Sequence, residues 1–298
     1  MKSIIQNDKV YTVITVAIVI LAALSCFVGI FSTGGNHPLT MTSAFGEEIR
    51  LYGEGLYARN SFSMAVQAIA QDYVTLILVL PCTMVALFLT RKKNILGEFI
   101  LTGLLAYLLY TYMSYSFLMY YNSLFLVYVA LMALSFYGFL IGINRLLANE
   151  VVTKLEAEMK TKGLRVFLFI TGIMIGLMWL GRIIPTIGNE IAPEGLDNYA
   201  TLVIQAMDLG IIVPACFVIS YLLKIKNRMG YILGPVIIVK AITLVLAVLS
   251  MGINMAISGV YVAPIEFVVF GIIFMVAAFF FVKILKTILD IAHAGLLQ

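Results

Sequence analysis

Charge is what this chain has least of. Only 11% of its 298 residues are Asp, Glu, Lys or Arg, against about 25% in an ordinary soluble domain. With 62% of the residues hydrophobic and a mean hydropathy of +1.07, there is too little polar surface to cover a water-facing globule. That excludes an ordinary soluble enzyme, a nucleic-acid binder and a disordered chain. Histidine is nearly absent: His37 and His293 stand far apart in sequence, too few for a His-based metal centre within a membrane. The three cysteines, Cys26, Cys82 and Cys216, each sit inside an apolar run. An odd, scattered set of that kind is neither a disulfide framework nor a metal site. Catalytic signatures are missing as well. There is no H-E-x-x-H, no phosphate-binding loop, no dinucleotide fingerprint and no G-x-G-D. No cofactor, metal or catalytic residue is therefore expected.

Long apolar runs are what is present. A helix crossing the hydrocarbon of a bilayer needs about 20 apolar residues, and eight runs qualify: 10–31, 73–90, 99–120, 124–143, 166–184, 200–223, 231–254 and 262–282. They are continuous and too long for the alternating segments of a transmembrane barrel. The expectation is an all-α polytopic integral membrane protein whose main partner is the lipid bilayer. Among the Lys and Arg residues, all but Arg50, Arg59, Arg182 and Lys240 fall on one side if the runs alternate in direction. The positive-inside rule then puts both termini in the cytoplasm, with the chain in the inner (cell) membrane. Lys2 and Lys9 followed by Ala23-Leu24-Ser25-Cys26 loosely imitate a cleavable leader. The apolar run continues through Phe31, however, longer than the about 7–15 residues of a leader core. An uncleaved helix is expected.

The chain repeats itself. Ile30 to Asn36 and Ile183 to Asn189 share I-x-x-T-x-G-N. Leu80-Pro81-Cys82 precedes Arg91-Lys92-Lys93-Asn94 and Ile95-Leu96-Gly97, as Val213-Pro214-Ala215-Cys216 precedes Lys224-Ile225-Lys226-Asn227 and Ile232-Leu233-Gly234. The matches keep their order. Two parallel four-helix repeats are expected, residues 1–146 and 164–298, joined by a polar cytoplasmic linker at 147–163. The parallel arrangement is one that transporters use. In the connecting segment, Glu150/Lys154, Glu156/Lys160 and Glu158/Lys162 have the spacing of helical ion pairs. This alignment sets Gly29 against Arg182 and Gly103 against Lys240.

Ionisable groups inside a bilayer are costly and mark function or pairing. Asp208 and Lys240 enter consecutive runs from opposite sides. At about 1.5 Å per residue they lie within about 5 Å in depth, which predicts an ion pair near the midplane. Gln205 lies on the same helical face as Asp208. Arg182, Asp72 and Glu266 belong to the outer third. With Gln67, Gln71 and Asn254, these residues are expected to line one polar cavity opening outward, joined by the deeper tyrosines Tyr107, Tyr110 and Tyr115. The long segment 32–72 holds a helical pattern at 60–71 and is expected to act as a lid over that cavity.

Substrate- or ion-binding residues are thus Asp208, Lys240, Gln205, Arg182, Asp72 and Glu266. The function they point to is a transporter or permease for a small solute, ion or proton. Two alternatives stand beside it: a non-transporting sensor or assembly subunit with structural ion pairs, and a membrane-embedded enzyme acting on lipid-linked material through Asp72 or Glu266. The sequence specifies neither a substrate nor an oligomeric state.

Overall fold

The computed structural model describes residues 8–35, 37–189 and 191–296, with side chains through residue 291. Lys2, Asn36 and the side chain of His293 lie outside them. Nine helices carry the described fold: α1 Asp8–Phe31, α2 Phe62–Arg91, α3 Ile95–Leu118, α4 Phe125–Ala148, α5 Val151–Glu158, α6 Lys162–Ile183, α7 Val203–Lys224, α8 Arg228–Ile257 and α9 Pro264–Leu296. All except α5 are long and apolar enough to cross a membrane, the mark of a multi-pass membrane protein. A two-stranded antiparallel hairpin, β1 Thr40–Thr42 with β2 Glu48–Arg50, stands in the loop after α1.

The helices alternate in direction, so the bundle has two distinct ends. At the basic end, Arg145 of α4 holds Asp8 of α1 at 2.7 Å and Glu98 of α3 at 2.6 Å. Arg228 of α8 reaches Glu156 of α5 at 3.2 Å and the backbone carbonyls of Leu147 and Asn149. None of the helical pairs expected between residues 150 and 162 forms among the described residues. The helix stops at Glu158, short of Lys160 and Lys162, and α5 turns Val152 and Leu155 inward against α8 and α9.

At the hairpin end, α2 begins at Phe62, well before the apolar run at Tyr73. Ser61 caps it by accepting from the Met64 N–H. The segment 60–71 is therefore not a separate lid helix but the first turns of α2, its buried face packed against α8. The loop before it is bound down. Leu56 N–H donates to Ser32 Oγ, and Gly55 N–H donates to the Gly34 carbonyl. Asn60, fully buried, accepts from both the Tyr120 N–H and the Tyr199 hydroxyl at 3.0 Å.

Matching backbone features recur at one constant spacing, that from Asn94 to Asn227. A π-helical turn interrupts α2 at Thr75–Val79 and α7 at Asp208–Ile212. Each is followed by a proline one residue into the next α-helical stretch, Pro81 and Pro214. Both helices end in the same cap. Lys93 and Lys226 take left-handed φ of 58° and 54°, and the next amide reaches back to Leu89 and Leu222, a Schellman closure. Asn94 and Asn227 then cap the following helices. In this register Gly97 stands with Gly230: an added Cβ on the first meets Leu89 and Thr90, on the second Leu222 and Leu223. The sequence alignment set Gly97 against Gly234 and Gly103 against Lys240. At the spacing of the turns, Tyr107 instead stands opposite Lys240 and Thr75 opposite Asp208.

Candidate functional site

Asp208 opens the π-helical turn of α7. Such a turn widens the helix locally and frees a carbonyl from the regular ladder, which is why it recurs at functional positions. The Asp208 carboxylate takes two neutral donors. Tyr110 of α3 donates its hydroxyl to Oδ1 at 2.7 Å, and Trp179 of α6 donates its indole N–H to Oδ2 at 2.8 Å. Lys240 of α8 is 6% exposed. Its Nζ lies 4.3 Å from the centroid of the Tyr110 ring. No hydrogen-bond acceptor for Nζ and no direct Asp208–Lys240 ion pair occurs among the described residues.

The expected midplane ion pair is thus replaced by a sandwich. Tyr110 offers its ring face to the ammonium and its hydroxyl to the carboxylate. A cation over a largely desolvated tyrosine ring is stabilised by about 2 kcal/mol, and an ammonium largely withdrawn from water forfeits more than that. Depth arithmetic along each helix could place the two charges at one level. It could not see a third helix entering between them. The depth of Tyr110 in α3 was the available signal for that tyrosine. Trp179, the only tryptophan, carried no spacing signal at all.

The other expected residues divide differently. Arg182, at the end of α6, reaches Glu266 of α9 at 3.4 Å and Glu194 at 3.7 Å, with its guanidinium 5.5 Å from the Trp179 ring. Trp179 therefore touches both the Arg182 pair and Asp208. Gln205, half-buried one turn before Asp208, has its amide in no described hydrogen bond.

Asp72 lies apart from all of these. It sits in the first half, 1% exposed, taking the Tyr57 hydroxyl on Oδ2 at 2.6 Å and the Tyr115 hydroxyl on Oδ1 at 3.0 Å. Cys26 of α1 faces it. Gly29 passes so close that an added Cβ would collide with Oδ2. Burial, and then the adjacent carboxylate, pushes the Tyr57 hydroxyl well above its ordinary range, so it remains a donor.

A single outward cavity lined by every expected residue does not form, because helix packing absorbs the polar groups. Gln71 donates to Thr111 Oγ1 at 2.7 Å, Gln67 to Ser63, and Asn254 to the Val66 carbonyl at 2.7 Å. Tyr107 meets Thr75 Oγ1 at 3.0 Å. A cavity of about 280 Å³ does open at the hairpin end, but it is lined by His37, Gly55, Leu56, Ala58, Arg59 and residues Tyr120 to Ser123, away from Asp208. Among the described residues no cluster of three His, Cys, Asp or Glu side chains is placed to hold a metal ion. Compared with protein-family models, curated proteins and solved structures, the chain matches none.

Proposed function

We propose that the protein is a transporter or permease for a small solute or ion, with its binding site at Asp208, Tyr110, Lys240 and Trp179. In this reading it is built of two parallel four-helix repeats, residues 1–146 and 164–298, and lies in the inner (cell) membrane with both termini cytoplasmic. The shared π-helical turns, Schellman closures and asparagine caps support the duplication. The gathering of Lys93, Arg145, Lys226 and Arg228 at the end where α1 begins supports the orientation.

One observation carries the functional reading: a buried lysine ammonium with an aromatic face but no hydrogen-bond acceptor. A charge kept in that state has the Asp208 carboxylate across the tyrosine but no acceptor of its own. A solute acceptor atom or a change of charge at Asp208 would supply what it lacks. Tyr110 touches both charges, so a ligand taken by one alters the other. The α7 π-turn, already off the regular ladder, is the element to move with it.

The test is flux in proteoliposomes for a solute first found by thermal-shift screening. Flux is expected to fall in both Asp208→Asn and Lys240→Met. Unchanged flux in both variants ends the reading.

One observation favours the alternative of a sensor or assembly subunit. Both oxygens of Asp208 are already satisfied by fixed donors, as a structural carboxylate's would be. That reading expects the double apolar variant to keep both fold and function.

A further inference from the structure

Asp72 is a fully buried carboxylate without a counter-ion. The titratable groups facing it are Tyr57 from the hairpin-end loop, Cys26 from α1, Tyr112 and Tyr115 from α3, and Tyr128 from α4; α8, packed on the same helix, contributes none. No Lys, Arg or His pairs with it among the described residues. A buried carboxylate so surrounded has no ion pair to lose when it becomes neutral.

Its hydrogen bonds also permit the change. The Tyr115 hydroxyl lies 3.0 Å from Asp72 Oδ1 and 3.1 Å from the Ala68 carbonyl. Tyr115 has one proton for two acceptors. When Asp72 gains a proton of its own, Tyr115 can give its proton to Ala68, and every donor keeps a partner.

Two more polar side chains, Tyr128 and Asn122, stand between this carboxylate and the hairpin-end cavity. Tyr57 donates to Asp72 Oδ2 at 2.6 Å. Tyr128 lies against both the Tyr57 hydroxyl and the Asn122 side chain. The Tyr128 hydroxyl and Asn122 Nδ2 are buried without hydrogen-bond partners, an uncommon state for polar atoms. Asn122 in turn lines the cavity of about 280 Å³ at the hairpin end, beside Gly55 and Leu56 of the Tyr57 turn.

We propose that Asp72 is a proton-binding site loaded from the hairpin-end cavity through Tyr128 and Tyr57. The Tyr128 hydroxyl, unpartnered at rest, turns onto the Tyr57 oxygen; a proton from the cavity side then passes to the Tyr128 oxygen as Tyr128 hands its own to Tyr57. Tyr57 hands its own to Asp72 Oδ2. Each tyrosine ends with one proton, the carboxylate becomes a carboxylic acid, and the net change is one proton bound. Asn122 holds the entrance. The site shares no residue with the Asp208–Lys240 constellation, so it stands or falls separately from the transporter reading.

Infrared difference spectroscopy of the full chain in lipid vesicles tests it. Lowering the pH is expected to raise a carboxylic-acid carbonyl band that shifts in deuterated water, moves with carbonyl-labelled aspartate and is missing in Asp72→Asn. Labelling assigns the band even if that variant fails to fold. Tyr128→Phe removes only an unpartnered hydroxyl, so the fold should persist. The band should then reach the same height but rise about tenfold more slowly after a pH jump, as expected when a relay atom is deleted. No aspartate band at any pH overturns the proposal. So does an unchanged rate in Tyr128→Phe, and so does a band that follows sodium concentration at fixed pH.

Discussion

The two halves of this protein carry the same turns at the same spacing and use them to opposite ends. In the first half, the position opening the π-helical turn is Thr75, bonded at 3.0 Å to Tyr107, both fully buried. In the second half, the corresponding positions are Asp208 and Lys240, two charges separated by a tyrosine borrowed from α3. The packing differs in the same sense. In the apolar stretches of α1 and α4 33% of the residues are buried, against 17% in α6 and α9, and 78% in α3 against 56% in α8. In the first half α1 lies closely along α4, with Gly142 against Tyr11 and Gly138 against Ile14. The counterpart helices α6 and α9 approach little. They meet where Phe167 faces Phe280 at 5.5 Å and where Arg182 meets Glu266. One half is a closed scaffold and the other a looser one holding the exposed end of the charge network. A hydroxyl pair closes a core, but a pair of charges needs somewhere for solvation or ligand to reach.

The largest expected effect tests the closed half. Arg145 and Glu98 form a two-pronged contact at 2.6 and 3.0 Å, with side chains 13% and 9% exposed. Glu98→Gln leaves the guanidinium only the exposed carboxylate of Asp8 and should cost about 3 kcal/mol of unfolding free energy. At the matching second-half position stands Tyr231, whose hydroxyl makes no described hydrogen bond. Tyr231→Phe should change stability by less than about 0.5 kcal/mol. Unfolding in a common detergent measures both. Similar losses in the two variants would show that the halves are equally rigid.

Next comes the charge network. Lys240→Met replaces a buried ammonium lacking an acceptor with an apolar side chain of similar length. It is expected to leave stability unchanged or raise it by about 1–4 kcal/mol, while solute-induced stabilisation disappears. Asp208→Asn withdraws the negative charge nearest Lys240 and should lower stability by about 1–3 kcal/mol. That asymmetry distinguishes a functional charge from a structural one. Equal losses in both singles, rescued in the double variant, would make the pair a structural bridge and the second half a scaffold like the first.

Much of the fold was legible because the bilayer constrains it. Continuous apolar runs of the right length leave a helix as the solution with internally satisfied backbone, and eight were read with ends differing by a few residues except at the start of α2 and the end of α9. In α2 the hydrophobic signal begins at Tyr73, but Ser61 and the face carrying Ala65, Ala68 and Asp72 start the helix earlier. Polar residues packed against another helix look like a surface segment in one dimension. The candidate site was less legible. The intramembrane charges announce themselves by cost, so Asp208, Lys240 and Asp72 could be listed. Their partners are ordinary residues from other elements, Tyr57 from the hairpin-end loop and Tyr110 and Trp179 from distant helices. Partnership across helices depends on rotation and register. The three letters Ile-Leu-Gly set Gly103 against Lys240, whereas the spacing of the helix caps sets Tyr107 there.

A smaller effect separates the halves through their glycines. Gly29→Ala would drive a methyl group onto Asp72 Oδ2 and to within 2.8 Å of the Tyr57 hydroxyl, costing about 1–3 kcal/mol by overpacking. Gly210, in the π-helical turn of α7, has nothing within 4 Å of an added Cβ. Gly210→Ala should be neutral or gain about 0.5–1 kcal/mol from a less flexible unfolded chain. Thermal unfolding of the two single variants checks the contrast. A costly Gly210→Ala would mean that the second half packs as tightly as the first.

The smallest effect is at the seam between α6 and α9. Arg182 and Glu266 have side chains 35% and 42% exposed and approach to 3.4 Å, with Glu194 also in reach of Arg182 at 3.7 Å. A water-exposed pair contributes about 0–1 kcal/mol and weakens with salt. Glu266→Gln should therefore shift unfolding by less than about 1 kcal/mol at low salt and by nothing measurable at high salt. The same substitution frees Arg182, whose guanidinium lies beside Trp179, the donor to Asp208. Tryptophan fluorescence comes from that single residue, so its emission in Glu266→Gln reports directly on whether the seam and the Asp208 carboxylate are connected. A changed emission with unchanged stability would mean that the pair latches the open side of the site. Unchanged emission would leave the seam a surface contact and confine the difference between the halves to Asp208, Tyr110 and Lys240.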